Sequence, residues 1–288
     1  MLNSTVLDVA IGLIFTFLAL SLAVSAIVEA VASAMKWRSS TLLLGIKQIL
    51  NDPDFTGLAL GIYNHALVNP QDAGNATKEA DLEHAPAYIE PKQFADAFLD
   101  IAKITQDSPD KIKSTIDDNV PDKQLNRFLK GVVDRTAGDL GKMRDEIAAW
   151  FDNGMDRVGG VYKRKTQVWS FVIALIIAAA LNVSSIIVGK ALWLQPMLVR
   201  TIAPAADLKP VDALAMLEGL GYPIGWNDAV LKNLGGWTGF DMLAGWLLTA
   251  AATLFGAPFW FDMLEQFVRL KGSGPSPAEK CTDSGAAS

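Results

Sequence analysis

The 288-residue sequence contains very few of the side chains that build metal and redox sites. It has one cysteine, Cys281, and two histidines, His65 and His84. A single cysteine forms neither an internal disulfide nor a multi-cysteine metal site, and neither histidine stands in a metal-ligand spacing. The sequence also lacks a phosphate-binding loop, a Gly-x-Ser-x-Gly motif, a dinucleotide fingerprint and a His-Glu-x-x-His motif. We therefore expect no metal and no cofactor.

Charged side chains are missing from three long stretches, residues 9–28, 167–189 and 242–261. A helix rises 1.5 Å per residue, so about 20 apolar residues cross a hydrocarbon core about 30 Å thick. The residues between the first two stretches carry charges throughout and show no strand-like alternation. The sequence thus predicts an all-α fold, with three transmembrane helices and a helical cytoplasmic domain inserted between helices one and two.

The three stretches divide the chain into parts with different expected roles. The domain between helices one and two should end in a long amphipathic stem, because Leu140, Met143, Ile147 and Phe151 recur at three- and four-residue spacing. The predicted parts are an N-terminal transmembrane helix (1–37), the cytoplasmic helical domain (38–166), transmembrane helix two (167–189), a periplasmic loop with a short helix (190–241), transmembrane helix three with its cytoplasmic end (242–271) and a disordered tail (272–288).

The placement of basic residues predicts the orientation. No Lys or Arg precedes the first stretch, whereas Lys36 and Arg38 follow it, and Lys163, Arg164 and Lys165 precede the second. Cytoplasmic loops carry the excess of Lys and Arg, so we expect a periplasmic N-terminus and a cytoplasmic location for residues 38–166 and the C-terminus. The 163–165 run should contact anionic lipid headgroups. The formal charge of −6 provides no reason to expect nucleic-acid binding.

Several short phrases occur together along most of the chain. They are Tyr-Asn-His-Ala-Leu at 63–67, Phe-Ala-Asp-Ala-Phe-Leu-Asp at 94–100, Ala-Trp-Phe-Asp at 149–152 and Gly-Ala-Pro-Phe-Trp-Phe-Asp at 256–262. With these phrases the sequence resembles a family of bacterial integral membrane proteins that has no assigned activity, and it departs from that family at Ala66, where a proline is expected. The resemblance implies a bacterial inner-membrane protein and implies no activity.

Polar side chains inside the predicted crossings are candidate functional residues. Ser21, Ser25, Glu29 and Ser33 recur every four residues and so form one stripe on the first helix. Because a polar group in lipid needs a partner, the stripe indicates either helix–helix contact or a polar conduit. Glu29 is interpreted either as a carboxylate that reaches the interface or pairs with a cation, or as one that handles protons or cations. Asn182 is expected to hydrogen-bond across helices.

A second set of candidates lies at the cytoplasmic ends of the second and third crossings. Acids and arginines on two elements at one depth favour an ion-pair network, and a two-carboxylate or divalent-metal site is the alternative. The predicted network comprises Asp152, Asp156, Arg157, Asp262, Glu265 and Arg269.

Three functions are compatible with this sequence. The first is a non-enzymatic anchor, scaffold or subunit that acts through its cytoplasmic helical domain, with membrane lipids and a second copy or other membrane-complex subunits as partners. The second is an oligomeric channel lined by the stripe of helix one, since three helices are too few to enclose a path alone. The third is an enzyme at the cytoplasmic membrane interface that uses paired carboxylates, drawn from Asp152, Asp156 and Asp262.

Overall fold

The computed structural model describes residues 5–194, 225–226 and 237–272. Within these residues the chain forms α-helices and one 3-10 turn, with no strand, which confirms the all-α prediction. The helices are α1 (Thr5–Ala34), α2 (Trp37–Ile49), α3 (Leu58–Tyr63), α4 (Pro91–Ile101), α5 (Pro109–Asn119), α6 (Lys123–Thr136), α7 (Leu140–Ala180), α8 (Ser185–Leu194), α9 (Trp237–Thr253) and α10 (Ala257–Gly272).

Local capping chemistry explains where the helices of the polar region begin and end. The Glu90 side chain accepts a hydrogen bond from the Gln93 backbone N–H at 2.8 Å and is followed by proline at the first position of α4. Asp122 caps α6 in the same way by accepting from Leu125 N at 2.7 Å. Ala137 ends α6 in the left-handed conformation. Each cap satisfies a backbone group that the helix leaves without a partner.

The chain divides into two compact units, and the first comprises residues 32–165. We call this unit the helical domain; its limits lie close to the predicted 38–166. Its core is a stack of aromatic rings with aliphatic side chains around them. The rings of Phe94 and Phe151 lie 3.9 Å apart, and Phe94 also packs against Phe98. All three phenylalanines are buried, so α4 and the first half of α7 share one closed core.

The second unit comprises residues 1–31 and 166–288 and is called the membrane unit here. Its interior is mainly aliphatic, with Phe15 buried among aliphatic side chains: the first half of α1 packs with α8 and α10, while Val24 and Val28 pack with Ala174 and Ala250. Among the described residues, α1 alone is a single helix with the length and apolar composition to cross a bilayer. The number rises to three if the bent pairs α7–α8 and α9–α10 each count as one crossing.

The second and third predicted crossings differ from straight rods. The helix expected over 167–189 is interrupted after Ala180, where Asn182 is left-handed (φ 49°), and α8 continues at an angle of 51°. The helix expected over 242–261 is interrupted at Gly256 (φ 84°), and α10 is bent by 96° from α9. Pro258 follows this break, and a proline is tolerated in the first turn of a helix but not in its interior.

The amphipathic stem continues directly into the helix expected from residue 167. α7 runs without interruption from Leu140 to Ala180, and Gly159 and Gly160 are helical. Most of the predicted loop 190–241, including its short helix, and the predicted tail 272–288 lie outside the described residues.

Candidate functional site

The polar stripe of helix one is divided between two environments. Ser21 is buried and its hydroxyl donates to the carbonyl oxygen of Thr253 at 3.4 Å. Ser25, Glu29 and Ser33 are exposed. Ser21 therefore serves contact between α1 and α9, as expected for helix packing in lipid. The other three members form an exposed polar row.

Asn182 lies at the break between α7 and α8 and is buried. Its side-chain amide donates to the Gly225 carbonyl at 2.9 Å, and its oxygen accepts from the Trp246 indole N–H at 3.3 Å. Thr249 supports the same break, because its hydroxyl accepts from Ser185 N at 3.0 Å. These contacts satisfy buried polar groups that would otherwise be costly. The cluster is thus a structural element that stabilises a broken helix.

The close approach of α8 to α9 depends on a glycine. A Cβ atom at Gly245 would lie 1.8 Å from the Ser184 hydroxyl oxygen, and the Ser185 hydroxyl donates to the Gly245 carbonyl at 3.2 Å. Because no side chain fits in this space, the start of α8 packs directly on the backbone of α9.

The two halves of the predicted ion-pair network lie in different units. Asp152, Asp156 and Arg157 are exposed on α7, and no ion pair among the described residues involves them. In the membrane unit, Arg269 donates to Glu265 one turn earlier on α10. In the described part of the chain, no three His, Cys, Asp or Glu side chains lie close enough together to hold a metal ion.

The remaining candidate residues have simple environments. Lys163 and Arg164 are exposed, and the Lys165 ammonium lies 5.0 Å from the ring centre of buried Trp37, a cation–π contact. The His65 Nδ1 atom accepts from Leu67 N at 3.3 Å, and its Nε2 atom lies 3.4 Å from an Asp100 carboxylate oxygen. Both ring nitrogens therefore have partners within the helical domain, and His65 holds the loop that follows α3.

The helical domain contains a polar cleft, which we call the α2–α6–α7 cleft. Its volume is about 430 Å³, within the range typical of ligand-binding pockets. The end of α2, the beginning of α6 and the middle of α7 form its walls. The lining residues are Gln48, Ile49, Asn51, Asp122, Gln124, Leu125, Phe128, Trp150, Asn153, Gly154 and Arg157.

Two contacts fix the shape of this cleft. The Asn51 amide donates to Asp122 at 2.7 Å, which ties the end of α2 to the beginning of α6. At the base, a Cβ atom at Gly154 would lie 2.6 Å from Ile49 Cδ1, so α7 approaches α2 closely. The hydrogen bonds from Leu125 N and Asn51 lower the pKa of the Asp122 carboxyl. The carboxylate is therefore ionised near neutral pH and already engaged by the protein.

The walls combine apolar rings, amides and one available charge. The Phe128 and Trp150 rings stack with centres 5.0 Å apart. Gln48, Gln124 and Asn153 contribute side-chain amides, which both donate and accept hydrogen bonds. Asp122 and Arg157 are the lining charges, and only Arg157 has no hydrogen-bonded or ionic partner among the described residues. The cleft has the composition of a binding site and holds no nucleophile–base pair.

Sequence reasoning identified Arg157 and did not identify the cleft around it. The lining residues come from three segments that are far apart in the chain, and no short motif connects them. Only Trp150 was indicated weakly by the sequence, because it stands beside Phe151 in one of the phrases that resemble the membrane-protein family.

No protein family, curated protein or solved structure matches this chain in comparisons with known proteins.

Proposed function

We propose that this chain is a non-enzymatic membrane protein that anchors its helical domain so that the domain binds another protein through the α2–α6–α7 cleft. Its role is that of an anchor, a scaffold or a subunit of a membrane assembly. The observation that carries this proposal is the combination, in one cleft of the helical domain, of stacked aromatic rings, several amides and an unpaired arginine. These groups recognise a partner, and none of them forms a catalytic pair.

The proposed location is the bacterial inner membrane. Apolar side chains exposed on the second half of α7, namely Val168, Trp169, Val172 and Ile176, support contact with lipid. The exposed Lys163 and Arg164 precede them on the same helix, at the level where anionic headgroups bind basic side chains. With the charge bias of the loops, these features support a periplasmic N-terminus, a cytoplasmic helical domain, three crossings and a cytoplasmic C-terminus.

Crosslinking inside the cleft tests the proposal. A photoreactive amino acid replaces Gln124, which is exposed and lines the cleft, in the full chain in cells. We expect a discrete crosslinked protein, identified by mass spectrometry, that disappears when Trp150→Ala is added. The same probe at Lys142, exposed on α7 away from the lining, is the control. A stable, uncrosslinked monomer at Gln124, with the helical content retained, would contradict the proposal.

An oligomeric conduit is the second candidate, favoured by the exposed row of Ser25, Glu29 and Ser33 on α1. In that function Glu29 lines a path formed by several copies, and Glu29→Ala changes ion flux in liposomes. An ion flux that is absent, or that Glu29→Ala leaves unchanged, excludes the conduit.

An interface enzyme using Asp152 and Asp156 requires these residues to bind a divalent metal. Asp156→Asn should then abolish the metal binding, which isothermal titration measures directly.

A further inference from the structure

We propose that the α2–α6–α7 cleft recognises an acidic peptide segment of its partner, in which a carboxylate stands close to an aromatic or leucine side chain. This inference rests on the proposed partner-binding function and specifies its chemistry. The carboxylate would pair with Arg157, and the apolar side chain would stack on Phe128 and Trp150.

The charges of the cleft determine the sign of the partner. Asp122 is occupied by the Asn51 amide and the Leu125 backbone N–H, both at 2.7 Å. Arg157 is exposed and, among the described residues, has no ion pair. Asp152 and Asp156 stand on the same helix but do not line the cleft. The charge available to a ligand is therefore the guanidinium, whose planar fork of donors matches a carboxylate.

The uncharged walls of the cleft determine which ligand side chain binds beside that carboxylate. Phe128 and Trp150 offer a stacked aromatic surface next to buried Leu125. An aromatic or leucine side chain gains area burial and ring contacts on such a surface. The Trp150 indole N–H has no hydrogen bond within the described residues and is available to an acceptor on the ligand.

The amides favour a peptide over a purely apolar ligand. Gln48, Gln124 and Asn153 line the cleft. Asn153 donates its amide N–H to the Ala149 carbonyl at 2.7 Å, which leaves its side-chain oxygen as an acceptor. Side-chain amides of this kind satisfy the alternating N–H and C=O groups of an extended backbone. The small volume of about 430 Å³ limits the bound segment to a few residues.

The test uses the full-length protein in nanodiscs and a displayed library of random heptapeptides. We expect the enriched peptides to carry Asp or Glu within two residues of Trp, Phe or Leu. Fluorescence polarisation of the enriched peptides then measures affinity. Arg157→Gln and Trp150→Ala should each weaken binding about ten-fold or more, and added salt should weaken it further. Arg127→Gln, an exposed arginine outside the cleft, is the matched control and should leave the affinity within about two-fold.

A charge exchange separates recognition from a structural effect. The Arg157→Glu variant should no longer bind the acidic peptides. It should bind the same peptides more tightly when Lys replaces their Asp or Glu. Enrichment of basic or wholly apolar peptides, or unchanged affinity in Arg157→Gln, would overturn this inference. If the crosslink at Gln124 persists in that case, partner binding stands and only its acidic character fails. If neither peptides nor a crosslinked protein are found, both proposals fail.

Discussion

At the residue scale, stability depends on a few positions where one atom has no room or no partner. Gly245 is the tightest, with a hypothetical Cβ 1.8 Å from the Ser184 hydroxyl and 3.3 Å from the Ser184 Cα. Gly245→Ala should therefore lower the thermal unfolding temperature in detergent strongly, because backbone must move. Ser184→Ala should restore only part of the loss. Gly159→Ala is the control: it meets nothing within 4 Å and, as a helix-interior glycine, should be neutral or stabilising by up to about 1 kcal/mol.

Tyr63 carries a buried hydroxyl that has no hydrogen-bond partner among the described residues. Burial also raises the pKa of this phenol well above its ordinary value. Tyr63→Phe removes an unsatisfied polar atom and keeps the ring that packs against Phe55, so we expect equal or higher stability. Tyr63→Ala should instead lower the free energy of unfolding by about 3–5 kcal/mol, as the truncation of other large core side chains does. Chemical denaturation followed by circular dichroism measures both, and a clear loss in Tyr63→Phe would contradict the assignment.

Asp122 links a cap to the shape of the cleft. Its pKa is lowered by the Leu125 and Asn51 hydrogen bonds, so its stabilisation is present above the unfolded pKa, about 3.9, and is lost as pH falls through the lower folded value. We expect the protection factor of the amides at the beginning of α6, taken relative to the intrinsic exchange rate at the same pH, to fall below about pH 4 in the wild type. Asp122→Asn keeps a good helix cap and loses the ionisable group, so it should show less acid dependence there. Equal acid dependence in both proteins would contradict the role of this carboxylate.

At the scale of elements, the helix starts and the break at Gly256 have local sequence signals, whereas the break between α7 and α8 has none. Glu90 followed by Pro91 predicts the start of α4, and Asp122 predicts the start of α6. Such starts can be predicted because a helix cap is formed by residues that are neighbours in the sequence. The break at Asn182 lacks such a signal, since the run 167–189 contains no charged residue and no proline. The partners that allow it, Thr249 and Trp246, come from α9, more than 60 positions away. The cleft escaped prediction for the same reason: its walls meet only after folding.

The α7–α8 break therefore predicts a specific dependence on one hydroxyl. Thr249 accepts from Ser185 N at 3.0 Å and is buried. Thr249→Val keeps the shape and leaves the partly buried Ser185 N–H without this partner, which should cost about 1–3 kcal/mol. Thr249→Ser retains the hydroxyl and should cost less. Thermal unfolding of both variants in the same detergent gives the comparison, and equal stability of Thr249→Val and wild type would show that the break does not need this acceptor.

At the scale of the whole molecule, the two bent helix pairs determine how many times the chain crosses the membrane. α10 is bent by 96° from α9 and packs through Trp260 and Leu264 with the first half of α1. In a third crossing, α9–α10 passes to the cytoplasmic side. In a re-entrant pair, it returns to the periplasmic side. The basic residues around the predicted spans favour a third crossing. The 96° bend between α9 and α10 favours a re-entrant pair.

The single cysteine distinguishes these topologies. Cys281 is the only thiol in the sequence. With three crossings, a membrane-impermeant maleimide should label Cys281 only after the inner membrane is permeabilised. In a Cys281→Ser background, Asp110→Cys should behave in the same way, because residue 110 belongs to the proposed cytoplasmic domain, and Ser4→Cys should be labelled in intact spheroplasts. Labelling of Cys281 and Ser4→Cys but not of Asp110→Cys in intact spheroplasts would establish two crossings, with one of the two bent pairs re-entrant. Labelling of Asp110→Cys would reverse the orientation, and the partner of the cleft would then be a periplasmic protein.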